Sequence, residues 1–323
     1  MSTRSPLGYH YNDGGINNQK FALLGLCAAA LKNQDSNGRR IYLPKIFSRD
    51  QHDKRSSLHD FDVVFWGDVF EDFCKRWGIV VVDMPNVSYA DRIERGGWTL
   101  FGEGAGQIGK YYHTKGDISA SLAADFFRSL IPRVKSKPIF QAICNQVFFS
   151  QNIDTVAQLR IEEDWFNYCK QHLATVVEEK EDFYLEAHQI VQKIKNTLPD
   201  AGSTIFVVCD ERYIFAPKWE IASKTYDETG VKIIWKSDLI SHEDYDALSP
   251  LEASLIDFEV SALAPRFVGN SRSTFANLLC FERFARSFRP AGDCYIYNNA
   301  EPTLGRRTDL GTAFVPKDVC AAQ

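Results

Sequence analysis

Thr155-Val156-Ala157-Gln158-Leu159-Arg160-Ile161-Glu162-Glu163-Asp164-Trp165 is the stretch that decides how this 323-residue chain folds. It opens as an apolar strand and ends in charge, an arginine followed at once by acids. The same grammar recurs downstream. Residues 204–211 read Thr-Ile-Phe-Val-Val-Cys-Asp-Glu, residues 231–235 read Val-Lys-Ile-Ile-Trp, and residues 267–270 read Phe-Val-Gly-Asn. Helical patterns at 165–196, 249–261 and 273–286 separate these runs. Strands alternating with helices predict parallel sheets and an α/β fold.

Upstream, Asn12-Asp13-Gly14-Gly15 is a turn signal, and the apolar run 21–31 that follows it is helix material closed by the polar segment 33–40. A short strand over 40–44 ends at Pro44, further apolar runs lie at 63–66 and 79–82, and 119–130 has helical spacing. Pro132 and Pro138 punctuate a linker-like region. The length suits two domains, and the pattern divides near residue 150, giving 1–150 and 151–323.

With 45% hydrophobic and 24% charged residues the composition is that of a folded protein, and a net charge of −5 gives no field to hold nucleic acid or an anionic membrane. Any bound anion must therefore be held by local positive charge. No run approaches the roughly 20 apolar residues that span a bilayer, and the N-terminus lacks the apolar stretch of a secretory signal, so the expected setting is cytoplasmic with no transmembrane segment. Eight scattered cysteines without a C-x-x-C pair read as reduced thiols, and no His or Cys pair has zinc-ligand spacing.

Ligands of open α/β sheets bind beyond the carboxyl ends of strands. That rule selects residues 13–18, 160–164, 210–211 and 270–275. Arg160 offers a permanently charged, planar fork of donors suited to diphosphate oxygens; an ion pair at a strand end explains it as well. Gly14-Gly15-Ile16-Asn17-Asn18-Gln19 leads into a helix whose free N–H groups can meet an anion, or it is an ordinary capped turn. Ser273 and Thr274 can cap a helix, donate hydroxyls to phosphate, or both. Of the adjacent carboxylates Asp210 and Glu211, strand geometry lets only one face a ligand. Gly102-Glu103-Gly104-Ala105-Gly106-Gln107-Ile108-Gly109 imitates a phosphate loop but lacks the G-K-[ST] ending, and it is expected to be a flexible loop.

Taken in order, these segments resemble the GDP-fucose protein O-fucosyltransferase superfamily, which includes plant homologues and is related to α-1,6-fucosyltransferases. The family's G-G-x-N-x-Q element appears as Gly14-Gly15-Ile16-Asn17-Asn18-Gln19, with Tyr42-Leu43-Pro44 behind it. Its H-L-R-x-x-x-D-W element appears as Gln158-Leu159-Arg160-Ile161-Glu162-Glu163-Asp164-Trp165, its strand ending in D-E as Cys209-Asp210-Glu211, and its F-I-G-N-x-x-S-S-F element as Phe267 through Phe275. The likeness runs from about Tyr9 to Arg286.

The resemblance implies a GT-B fold, two Rossmann-like domains facing across a cleft. The acceptor would lie on the N-terminal side and the nucleotide-sugar donor on the C-terminal side, with the last helix packing back on the first domain. It implies inverting, metal-independent transfer of fucose from GDP-fucose to a glycan or protein, with no cofactor. Arg160 would hold the departing diphosphate; Gly14, Gly15, Asn17, Asn18, Gln158, Asp210, Asn270, Ser273, Thr274 and Phe275 would bind the donor. Asp13 is the candidate base for the acceptor hydroxyl; a turn cap explains it equally. Two positions depart from the family: Gln158 stands where it has histidine, and Pro265 where one version has aspartate. Both keep another donor, such as a rhamnosyl nucleotide, in play, and a non-catalytic sugar-nucleotide module is the third reading.

Overall fold

In the computed structural model, which describes residues 6–32, 39–52, 54–83, 97–114, 121–171, 181–182, 184–287 and 293–307, the chain divides into two compact units. The first runs to Val134 and takes in the end of the last long helix from Ala285; the second begins at Lys135. The break falls in the stretch between Pro132 and Pro138 rather than near residue 150. That stretch is not a bare linker. A 3-10 turn spans Arg133–Ser136, and Pro138 starts a helix at the position where its missing N–H costs nothing.

In the first unit, α1 (Ile16–Lys32) is apolar on nearly every face and buried along most of its length. Strand β1 (Arg40–Ile41) is followed by β2 (Ile46–Ser48) and β3 (Ser57–His59), which pair antiparallel. The apolar run around Val63 is no strand but a short helix, α2 (Phe61–Val64), followed by α3 (Gly67–Arg76). Strand β4 (Val80–Val81) pairs parallel with β1. The glycine-rich segment expected to be a flexible loop lies inside an 18-residue helix, α4 (Gly97–Thr114). A Cβ on Gly104 would sit 1.8 Å from the Phe21 carbonyl oxygen, and one on Gly25 would sit 1.8 Å from that of Leu100. Two glycines, one on each helix, thus let the backbones of α1 and α4 touch. Helix α5 (Leu122–Ser129) follows, capped by Ser121 Oγ, which accepts from the Ala124 N–H.

The second unit is built on a six-stranded sheet. After α6 (Pro138–Cys144) come β5 (Thr155–Gln158), α7 (Glu163–Gln171), α8 (Ala187–Thr197), β6 (Thr204–Val208), α9 (Lys218–Thr229) and β7 (Lys232–Ile234). Then follow α10 (His242–Ala247), α11 (Pro250–Leu263), β8 (Arg266–Gly269), α12 (Thr274–Ser287), β9 (Cys294–Ile296) and β10 (Gly305–Arg306). The single helix expected over 165–196 is not formed: α7 and α8 are separate, because Glu181 bridges antiparallel to Asn299 and Glu186, in extended conformation, caps a new helix at Ala187; residues 172–180 and 183 lie outside the described residues. The strand order is β10-β9-β8-β5-β6-β7, with β5 through β9 parallel and β10 antiparallel at the edge. Every residue of β5 is buried, as a central strand covered on both faces must be. Ala157, Val207, Ile233 and Val268 form one core with Ile190, Val191 and Ile194 of α8.

Candidate active site

The chain winds outward from β5 to β6 and β7, then returns to the other side of β5 as β8. The strand order therefore reverses between β5 and β8, the place where parallel α/β sheets open a crevice at their carboxyl ends. Gln158 and Arg160 leave β5 there, and Asn270 and Ser273 leave β8. Gln158, Arg160, Asn270 and Ser273 thus flank this switch point, whereas Asp210 follows the neighbouring strand β6.

Arg160 is gripped from several sides. Its backbone N–H donates to the Tyr297 hydroxyl at 3.2 Å, and its Nη2 lies 3.4 Å from Asp164 Oδ1. Its Nε stands 3.5 Å from Glu162 Oε2, and its guanidinium carbon lies 4.9 Å from the Trp165 ring centre, a cation–π contact. Burial works against the charge, but Glu162 and Asp164 outweigh it and raise the guanidinium pKa. The Tyr297 hydroxyl also meets Asn270 Nδ2 at 3.5 Å, so it links the ends of β5 and β8. Gln158 completes that link, its Nε2 donating to Ser273 Oγ at 3.0 Å while its Oε1 stays buried without a partner.

The turn after β8 is fixed residue by residue. Asn270 is fully buried, its Oδ1 accepting the Arg272 N–H at 2.9 Å. The Ser271 N–H donates to Asn298 Oδ1 at 2.8 Å, and Asn277 Nδ2 returns to the Ser271 carbonyl at 3.0 Å. Arg272 forms a two-pronged pair with Glu181, 3.0 Å on each prong, so its charge is already matched. The carbonyl of Ser273 accepts the first bond of α12, from the Asn277 N–H at 3.0 Å, and Thr274 opens the helix. The partly buried Phe275 ring packs against Phe258 and Phe267.

Beyond β6 the alternation rule no longer applies, because the strand ends at Val208. Asp210 is half-buried and pairs with Arg212 Nε at 3.1 Å; its own N–H donates to Glu162 Oε1 at 3.1 Å. Glu211 turns inward. It meets Lys218 at 3.0 Å, Lys236 at 3.6 Å and the Ser237 hydroxyl, and Lys236 in turn takes both oxygens of Asp257 at 2.8 and 2.9 Å. Burial raises the Glu211 pKa but is overcome by Lys236, Ser237 and Lys218, which hold it below the usual carboxylate range; burial pushes Asp257 up to about 7 against the pull of Lys236. Sequence reasoning missed Lys236, Asp257 and Tyr297. A lysine after a strand and an aspartate in an apolar helix give a signal only once β7 and α11 are known to meet.

Asp13, Gly14, Gly15, Asn17 and Asn18 stand at the start of α1 in the first unit. The turn is stitched by Asn12 Oδ1, which accepts the Gly14 N–H at 2.9 Å, and by Gln19, whose amide exchanges hydrogen bonds with the Phe47 backbone at 2.8 Å each way. Asp13 is exposed and accepts from Trp98 Nε1 at 2.7 Å. Asn17 Oδ1, Asn18 Oδ1 and Asn12 Nδ2 are buried without hydrogen-bond partners, an unusual concentration of unmet polar atoms at a helix N-terminus. Among the described residues no group of three or more His, Cys, Asp or Glu could hold a metal ion, and no helix is long and apolar enough to cross a membrane.

No family model matches the sequence, and neither does any curated protein. Solved structures do match in fold. POFUT1 in complex with GDP superposes with a TM-score of 0.54 at 15% identity, over 91% of this chain and 98% of that one. POFUT1 in complex with GDP-fucose gives 0.54 at 14% over the same shares. The fucosyltransferase NodZ from Bradyrhizobium aligns at 13% identity over 91% and 96%, with a TM-score of 0.46 that is too low to bear on the fold. The chain thus has a mixed α/β GT-B fold, like that of POFUT1.

Proposed function

We propose that the chain is an inverting, metal-independent glycosyltransferase that takes fucose from GDP-fucose. The observation that carries this reading is Arg160, a guanidinium at the sheet's switch point beside the Asn270–Ser273 turn, in a fold shared with a protein solved with GDP and with GDP-fucose. When the acceptor hydroxyl attacks the anomeric carbon, the bond to the β-phosphate oxygen breaks and negative charge gathers on the diphosphate. A fixed guanidinium stabilises that charge more than it stabilises the intact donor. Ser273, Thr274 and the Phe275 backbone at the start of α12 would hold the phosphates, and Gln158, Asp210 and Asn270 the rest of the donor. Asn17 and Asn18 offer unmet side-chain acceptors to sugar hydroxyls, in a turn shaped by Gly14 and Gly15. Asp13 would take the acceptor's proton, and a glycan or protein hydroxyl is the acceptor class proposed.

A second nucleotide sugar is favoured by one observation. Gln158 occupies the family's histidine position and is bonded to Ser273, so this wall of the site presents a bare amide oxygen instead of an imidazole. Calorimetry with GDP, UDP and dTDP separates the readings; failure of GDP to bind removes the fucosyl one. Transfer or donor hydrolysis by Arg160→Ala is expected to fall by about 10²–10³, and an Arg160→Ala enzyme as active as the wild type would refute the role assigned to Arg160.

A further inference from the structure

Glu162 is an odd residue to find beside an anion site. It is 3% exposed, and its Oε2 lies 3.5 Å from the Nε of the arginine meant to receive a diphosphate, with no hydrogen-bond partner of its own. A site built only for affinity would not bury a carboxylate there, since it repels the ligand and must itself be desolvated. Burial indeed raises its pKa, against the pull of Arg160. Yet Glu162 is anchored firmly. Its backbone bridges to Ile214, and its Oε1 accepts the Asp210 N–H at 3.1 Å, so it spans the ends of β5 and β6.

The geometry resolves the contradiction. Glu162 stands at Nε and Asp164 at Nη2, so the two acids line the same lateral edge of the guanidinium while Trp165 stacks near its face. Among the described residues no side chain meets Nη1. The edge left for a phosphate is therefore the end-on one, Nη1 with Nη2.

We infer that Glu162 is a positioning residue, holding the lateral edge of Arg160 so that its end-on edge is presented to the leaving diphosphate. The inference rests on the donor role proposed for Arg160. It makes Glu162 trade ground-state affinity for orientation, and misplacing a group by about an ångström can cost about 10²-fold in rate.

The test is Glu162→Gln, which keeps an oxygen for the Asp210 N–H and puts an uncharged amide NH2 in place of the carboxylate oxygen facing Arg160. The expected result is a kcat for donor turnover at least about tenfold lower, a GDP Kd equal to or tighter than wild type, and an unchanged Tm. Unchanged kcat overturns the inference, and so does a GDP affinity that weakens in step with kcat. Should the glutamine variant not fold, Glu162→Asp, which withdraws the carboxylate by one methylene, is read by the same split. If wild type binds no GDP, the donor reading fails by itself. The inference is then decided by the Arg160 ¹⁵Nε–¹H resonance, assigned by its loss in Arg160→Lys: a shift in Glu162→Gln supports it and an unmoved signal overturns it.

Discussion

Replacing Gly104 by alanine should cost more stability than its chemistry suggests, and replacing Gly102, two residues away on the same helix, should add some. The added Cβ at Gly104 would lie 1.8 Å from the Phe21 carbonyl oxygen, whereas carbon and oxygen in ordinary contact stand about 3.4 Å apart. The obstacle is backbone, so no rotamer change relieves it; α1 and α4 must separate by roughly 1.5 Å at that point. A gap of half to one ångström already forfeits about a quarter to a half of each dispersion contact, and Phe21 and Leu24 on α1 and Leu100 and Ile108 on α4 are buried. The expected loss is at the upper end of the overpacking range, about 3 kcal/mol. At Gly102 nothing lies within 4 Å of the added methyl, so the better helix propensity of alanine should add about 0.5–1 kcal/mol. Urea unfolding of both variants and wild type at equal m-value measures the difference. A Gly104→Ala protein of wild-type stability would refute the claim that this glycine exists for the helix contact. Because Asn17 and Asn18 lie in the first turn of α1, the same variant should also weaken GDP binding if those residues serve the donor.

Lys236→Met removes an ammonium that faces both Glu211 and Asp257, and should cost about 3–5 kcal/mol in urea unfolding, the range for stripping a buried ion pair of a partner. Glu211, held below the usual carboxylate range, contributes stability that is present above its unfolded pKa of 4.5 and is lost as the pH falls through the folded value. The stability gap between wild type and Glu211→Gln should therefore be widest above pH 5 and shrink toward pH 3; a gap independent of pH would contradict the assignment. Ser249→Ala removes a hydroxyl that accepts the Glu252 N–H at 3.2 Å in a reciprocal cap of α11, and should cost about 1 kcal/mol by thermal unfolding.

What could be read in the sequence follows from how local each cause is. Strands β5, β6 and β8 announce themselves because a buried parallel strand must be apolar along its length and must end in polarity where the chain turns. That is why Arg160, Asp210 and Asn270 stand out in the sequence itself. The first half was harder. Three glycines within residues 102–106 look like a turn, because local propensity sees only their freedom; the reason for Gly104 is the Phe21 carbonyl, more than 80 residues earlier in the chain. Val63 and Val64 have strand composition yet form helix, since Phe61 and Phe65 must reach the same aromatic cluster as Phe70. Glu162 shows the limit most clearly. Beside Arg160 in sequence it reads as one more surface acid. Only the pairing of β5 with β6 brings the Asp210 N–H to it, buries it and turns it toward the guanidinium. A motif locates an arginine; the register of the neighbouring strand decides which edge of that arginine a ligand can meet.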